Sequence, residues 1–314
     1  MTTLLWKPLL SATVPMLDDT EDFDWSVIPF PVWASPKIDG FRSMVQRGVL
    51  VSRNGLPVKN KQLQARYGRK EYEGLDGELT DGPPNGVDVF NRTSRVVKKA
   101  DADASAVRFN IIDYVPSKNA VPFTLSQRIS VLAGGAMAHE PGFVVIPQVP
   151  IETLAQLKKY EQQCLKQGYE GVMLRRMDQG AYPQKSGKEN RSTLREFYLA
   201  RLKRFEHAEA VIVSVHPLRH NANEERTERG ARSSKKAGMV VDATKIGSAT
   251  LRDLKTGREF DTNIATELLR SMGAKWWAAQ LGKTVRYKYQ KVGTVLKPRI
   301  NTCGFDELLE AGNA

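Results

Sequence analysis

The segment Ser35-Pro36-Lys37-Ile38-Asp39-Gly40-Phe41-Arg42 sets a lysine shortly before an aspartate, a glycine and an arginine. An amine is a nucleophile only when uncharged, and an ordinary lysine, with a pKa of about 10.4, is almost wholly protonated at neutral pH. Neighbouring cations and partial desolvation favour the neutral form. A Lys-x-Asp-Gly string by itself fits a solvated turn between strands as readily as a reactive site. The reactive reading gains weight from the order of the downstream segments: Ser52-Arg53-Asn54-Gly55, Asp76-Gly77-Glu78-Leu79, Ile111-Ile112-Asp113, Glu170-Gly171-Val172-Met173-Leu174-Arg175 and Arg201-Leu202-Lys203-Arg204-Phe205. Glu78 and Glu170 are hard oxygen donors suited to Mg²⁺, directly or through water. The planar guanidinium groups of Arg42 and Arg53 suit phosphate. Taken singly, Arg53-Asn54-Gly55 is a turn, the glutamates are surface carboxylates and 201–204 is a solvated basic face.

The elements that must position these residues are short. Residues 1–30, with three prolines and the acidic run Asp18-Asp19-Thr20-Glu21-Asp22, read as an irregular lead-in. Phe41–Gln46 alternates in polarity and, with Val49–Ser52 beyond Arg47-Gly48, predicts a hairpin. Residues 74–79 and 109–115 predict two more strands, separated by a polar Gly/Pro loop near Asp81-Gly82-Pro83-Pro84. Leu125 to Leu132 predicts a helix capped by Thr124 or Ser126, and Thr153 to Gln167 a stronger one that stops at Gly168. Residues 170–175 predict a strand. Many short strands with a few helices between them indicate an α+β domain over 1–205. Near residue 205 the character changes. Strands are expected at 210–215, 239–242, 248–254 and 284–290, with the polar, charge-dense stretch 216–238 as an inserted loop. That pattern over 206–314 fits a small five-stranded β-barrel of the OB-fold type. No internal repeat is visible.

Composition narrows the chemistry further. The chain has 314 residues, 41% hydrophobic and 26% charged, as in ordinary globular proteins. No apolar run reaches the roughly 20 residues that span a bilayer. Its N-terminus does not read as a signal peptide, so the expected compartment is the cytoplasm and no membrane partner is expected. Cys164 and Cys303 are too few for a cysteine zinc site or a disulfide framework. The net charge of +12 points to a polyanionic partner. Residues 201–314 hold 21 Lys/Arg against 13 Asp/Glu, which concentrates the excess there.

In this order the motifs resemble the signature of the covalent nucleotidyltransferases, the superfamily of DNA ligases, RNA ligases and mRNA capping enzymes. Within it the chain looks most like the short ATP-dependent DNA ligases of bacteriophages and bacteria. The similarity runs from about residue 33 to about 300. It includes Arg191-Ser192-Thr193-Leu194-Arg195-Glu196, Ala208-Glu209-Ala210, the basic run Arg229-Gly230-Ala231-Arg232-Ser233-Ser234-Lys235-Lys236 and Gly257-Arg258-Glu259-Phe260. The resemblance implies a nucleotidyltransferase (adenylation) domain of antiparallel sheets with helices, followed by the OB-fold barrel, with a hinge near 204–208.

It also implies roles. Lys37 carries AMP, with Arg42, Lys203 and a metal ion as the cations that favour its neutral form. Asp39 assists the metal and the nucleophile. Glu78 holds the ribose and, with Glu170, Mg²⁺. Lys203 and Arg201 grip the phosphates of ATP, and Arg42 and Arg53 the 5′-phosphate of a nick, with Arg53 and Ile38 also at the nucleotide. Met173 gives one face of the adenine site. Ile112 gives the other, where the family usually has an aromatic residue. Arg201 stands where lysine is common, and Asn301 and Asp306 where proline and arginine are usual, near Lys297 and Arg299. Arg229, Arg232, Lys235 and Lys236 contact duplex DNA through phosphates, which position a protein without reading sequence. The implied activity is sealing of nicked double-stranded DNA with ATP and Mg²⁺, by a monomer. An RNA ligase with the same lysine chemistry and a nucleic-acid-binding module with an inactive pocket are the alternatives.

Overall fold

The computed structural model describes residues 5–17, 22–86, 88–115, 123–135, 139–185, 189–224, 236–290, 299–303, 305 and 308. Met1–Arg204 and Phe205–Ala314 are separate compact units. Together they make a mixed α+β chain of largely antiparallel sheets with helices. Among the described residues no helix is long and apolar enough to cross a membrane.

The first unit holds two five-stranded sheets. In one, the order is Ala12–Thr13, Ala200–Leu202, Val172–Arg176, Val32–Pro36 and Val149–Ile151, and only the first pairing is parallel. The helix Leu154–Lys166 buries Leu157 and Cys164 in the same core as Val32, Val172, Leu174 and Leu202. Thr153 and Gln156 form a capping box at its start, which satisfies donors that the first turn leaves over. Gly168 follows its end at φ +89°.

The other sheet runs Val49–Ser52, Phe41–Gln46, Leu75–Asp81, Val107–Tyr114 and Phe143–Val145, the last pairing parallel. The expected hairpin is present, with Gln46 opposite Val49. Leu63, Tyr67, Phe109 and Phe143 fill its core. Thr124, not Ser126, caps the helix Leu125–Gly134. A smaller cluster of Trp6, Leu9, Met44, Val51, Tyr182 and Leu199 packs within this unit.

Three expectations need correcting. Part of the supposed irregular lead-in is ordered: Ala12–Thr13 pairs with Ala200–Leu202, and Leu10 donates its N–H to the Asn190 carbonyl at 2.8 Å. A two-residue strand is too short to show a period. The helices Lys61–Tyr67 and Val89–Val97 were not signalled either.

The third correction lies in the second unit. Its sheet is ordered Glu259–Asn263, Met239–Asp253, Glu206–Asn221, Thr284–Gln290 and Arg299–Cys303, all antiparallel. The strand from Glu206 continues through the supposed loop as far as Asn221, opposite Met239, and 239–253 is one strand. Much of this arm is open to solvent. Val240 and Val241 are both more than half exposed, so the segment lacks the apolar alternation by which a strand is recognised. Among the described residues the edge strands Glu259–Asn263 and Arg299–Cys303 are not paired with each other, so the sheet is not closed by pairing.

Candidate active site

Sheet topology brings the proposed nucleophile to its partners. Val172–Arg176 is antiparallel to both Val32–Pro36 and Ala200–Leu202, with Val172 opposite Pro36 and Leu202. Its beginning therefore lies beside the ends of the other two. Lys37 follows one of those ends, Lys203 the other, and Glu170 precedes Val172. The backbones tighten the arrangement: Lys37 N–H donates to the Gly171 carbonyl at 2.9 Å and Glu170 N–H to the Lys37 carbonyl at 3.3 Å. Gly171, at φ +153°, is required here. A Cβ on it would stand 2.1 Å from the Leu202 carbonyl oxygen, far inside contact distance.

At this junction the Glu170 carboxylate bridges two ammonium groups. Its Oε2 pairs with Lys37 Nζ, and its Oε1 with Lys203 Nζ at 2.6 Å. Burial by itself raises the Glu170 pKa, but Lys37 and Lys203 outweigh it and hold the carboxyl at about 2. Burial pulls Lys203 below the usual lysine range despite Glu170.

The second sheet supplies the facing wall. Arg42 stands opposite Glu78 in register. Gly40 lets Glu78 approach, since a Cβ there would lie 2.8 Å from the Glu78 Cβ. Arg42 donates through Nε and NH2 to the two oxygens of buried Asp76, at 2.6 and 2.8 Å, and its NH1 is 3.6 Å from Glu78 Oε1. Burial pushes Glu78 up to about 7, against the pull of Arg42 and Lys37. Glu78 Oε2 is buried and has no hydrogen-bond partner among the described residues.

Between the walls is a cavity of about 340 Å³. Lys37, Ile38, Arg42, Arg53, Glu78, Ile112, Met173 and Arg201 line it. Glu170 and Lys203 join this group through the Lys37 ion pair rather than as lining. Asp39 is not among the lining residues either, although its charge acts on Glu78. Arg201 donates through Nε to Thr13 Oγ1 at 3.0 Å. Ile112 is half-buried, while Ile111 and Asp113 beside it are buried. Phe109 is fully buried against Tyr67 and Phe143, away from the cavity. Lys236 lies in the second unit, exposed, in the short turn Lys236–Gly238. Arg229, Arg232, Lys235, Lys297 and Asp306 lie outside the described residues.

Several residues around the site escaped the sequence reading. Leu9, Leu10, Ser11, Arg175 and Arg191 also line the cavity. Behind it, Asp113 accepts from Arg128 Nε at 2.8 Å and from Arg175 NH1 at 2.6 Å, all three buried. Tyr182 donates its hydroxyl to Asp76 at 3.0 Å. One signal was available. Leu125, Arg128 and Leu132 share the buried side of one helix, and a charged residue at a core position of a helix calls for a buried partner. Tyr182 had no such signal.

No protein-family model matches the chain, and no curated protein matches it. Solved structures do. A DNA ligase of the Lig E type is 20% identical, over 93% of this chain and 96% of that one, with a TM-score of 0.63. Chlorella virus DNA ligase-adenylate is 25% identical over 95% and 98%, with a TM-score of 0.49. The ATP-dependent DNA ligase of bacteriophage T7, in complex with ATP, is 12% identical over 94% and 97%, with a TM-score of 0.46. The first of these likenesses establishes a shared fold.

Proposed function

We propose that the chain is an ATP-dependent DNA ligase that seals nicks in duplex DNA through AMP carried on Lys37. The observation that carries this reading is the ion-paired set of Lys37, Glu170 and Lys203, which meets through Lys37 a cavity whose other wall presents Arg42 and Glu78. The fold shared with a DNA ligase is consistent with it. The Lys37 nitrogen attacks the α-phosphorus of ATP and pyrophosphate leaves. An oxygen of the nick 5′-phosphate then attacks the same phosphorus, and the lysine nitrogen is the leaving group. Finally the 3′-hydroxyl attacks the 5′-phosphorus, joins the strand and expels AMP.

Attack needs an uncharged amine, so the Lys37–Glu170 pair opens and the ammonium passes its proton to solvent water before the first step. Catalysis of such transfers is mainly positioning and charge neutralisation. Lys203 and Arg201 meet the phosphates of ATP. Ile38, Ile112 and Met173 form the apolar walls for adenine, and Glu78 holds the ribose. Arg42, held in place by Asp76, and Arg53 receive the 5′-phosphate. Asp39 acts from beside Glu78. The donor set also fits Mg²⁺, which binds few carboxylates and relies on substrate phosphates. Glu78 has an oxygen without a partner, and Glu170 has a carboxylate at the nucleophile. When bound, the ion supplies positive charge at the phosphates.

The second unit is an OB-type barrel in this reading, and the monomer works alone. Its long arm, with exposed Arg219 and Lys236, and Arg229, Arg232 and Lys235, which fall between them in the sequence, bind DNA phosphates. The test is retention of label. Protein given Mg²⁺ and α-labelled ATP should keep label through denaturation, and Lys37→Ala should lose it. Equal labelling of the variant places the nucleophile elsewhere.

A further inference from the structure

The first unit ends at Arg204, and that residue is held more firmly than a connecting segment requires. Arg204 donates through Nε and NH2 to Glu161 Oε1 and Oε2, both at 2.8 Å. Glu161 sits mid-helix in Leu154–Lys166 and is only 2% exposed. The guanidinium carbon lies 4.9 Å from the centre of the Phe23 ring, and NH2 is 3.6 Å from Asp22 Oδ1. A two-pronged arginine–carboxylate pair fixes orientation as well as distance.

Its place beside Lys203 makes this informative. Lys203 reaches Glu170 at 2.6 Å, while the next residue, Arg204, reaches Glu161. Both glutamates belong to one stretch of chain: the helix carries Glu161, and the loop after it carries Glu170. The end of Ala200–Leu202 is therefore tied at two successive residues to the segment that also presents Glu170 to Lys37.

We propose that the Arg204–Glu161 pair is a positioning device for the nucleotide-phosphate contact of Lys203, holding its ammonium in register with Glu170 and the cavity. Arg204 does not line the cavity, and in this proposal it acts through its neighbour. The inference rests on the function proposed above, in which Lys203 meets the phosphates of ATP.

The test uses the full chain and the variant Glu161→Gln/Arg204→Met, which removes both charges and leaves no buried ion unpaired. Its melting temperature is compared with wild type, and Arg204→Lys, which keeps the charge but not the fork, serves as a second variant. Two quantities are measured: the rate of lysyl-AMP formation from ATP, and inhibition of that reaction by adenosine, which has no phosphate for Lys203 to reach. The expected result is a rate about 10- to 100-fold slower, the cost of a small misplacement of a contacting group. Adenosine inhibition should stay within about twofold, as for sites that do not couple. Arg204→Lys should fall between wild type and the double variant. An unchanged rate, or adenosine inhibition weakened in step with the rate, overturns the positioning role and leaves the ligase reading standing. Wild-type protein that forms no adduct on Lys37 overturns the ligase reading and this inference with it.

Discussion

Both units carry ion pairs at the surface, but among the described residues only the first also buries them. The first has exposed pairs, such as Lys61–Asp101 at 75% and 76% exposure, but it also sends ion pairs into the interior: Arg128 and Asp113 are at most 1% exposed, Arg42 is pinned to fully buried Asp76, and Glu170 sits between two lysines. In the second, the ion pairs among the described residues are on the surface, as with Arg252–Glu259 at 54% and 47% exposure and Lys245–Glu267. Buried pairs hold their geometry because breaking one leaves a desolvated charge. Exposed pairs hold little, and their charge remains available to the surroundings. The first unit is built to place a few groups accurately. The second keeps the charges of its described ion pairs at the surface.

The largest effect that would break this contrast is in the buried cluster. Asp113→Asn leaves Arg128 and Arg175 without their anion and should cost about 3–5 kcal/mol in urea unfolding. A loss below about 1 kcal/mol would mean that the cluster is not desolvated.

Next comes pH. Glu170 is held at about 2 in the folded chain against an ordinary 4.5. Its contribution is therefore complete above pH 4.5 and lost as pH falls toward 2. At roughly 1.4 kcal/mol per pKa unit, this amounts to about 3 kcal/mol. The unfolding free energy of wild type should fall by that much more than that of Glu170→Gln across this window. Parallel curves would remove the double ion pair from the description.

The third prediction separates the units by salt. Each phosphate contact contributes a slope of about 0.9 in log affinity against log salt. Replacing Arg229, Arg232, Lys235 and Lys236 with alanine should flatten the salt dependence of nicked-DNA binding by up to about 3.6. Lysyl-AMP formation should be left unchanged. The smallest effect is expected at the surface: Arg252→Ala should change stability by less than about 1 kcal/mol.

Much of the first unit was legible because its signals are local. The hairpin 41–52 follows from alternation and a turn, and the helix after Thr153 from a cap, a period and a stop. The second unit was less so. Its long arm reads as a polar loop because burial, the cause of alternation, is missing there.

The sequence by itself determined which side chains are capable of the chemistry and in what order they occur, because residue type sets nucleophilicity, ligand hardness and charge. Tertiary structure alone decided which of them meet. Lys37 and Glu170 are 133 residues apart, and their pairing depends on an antiparallel register that no short window contains. Tyr182 on Asp76, Arg128 on Asp113 and Arg204 on Glu161 were hidden for the same reason. Whether a buried charge is tolerated depends on the partner that packing brings to it.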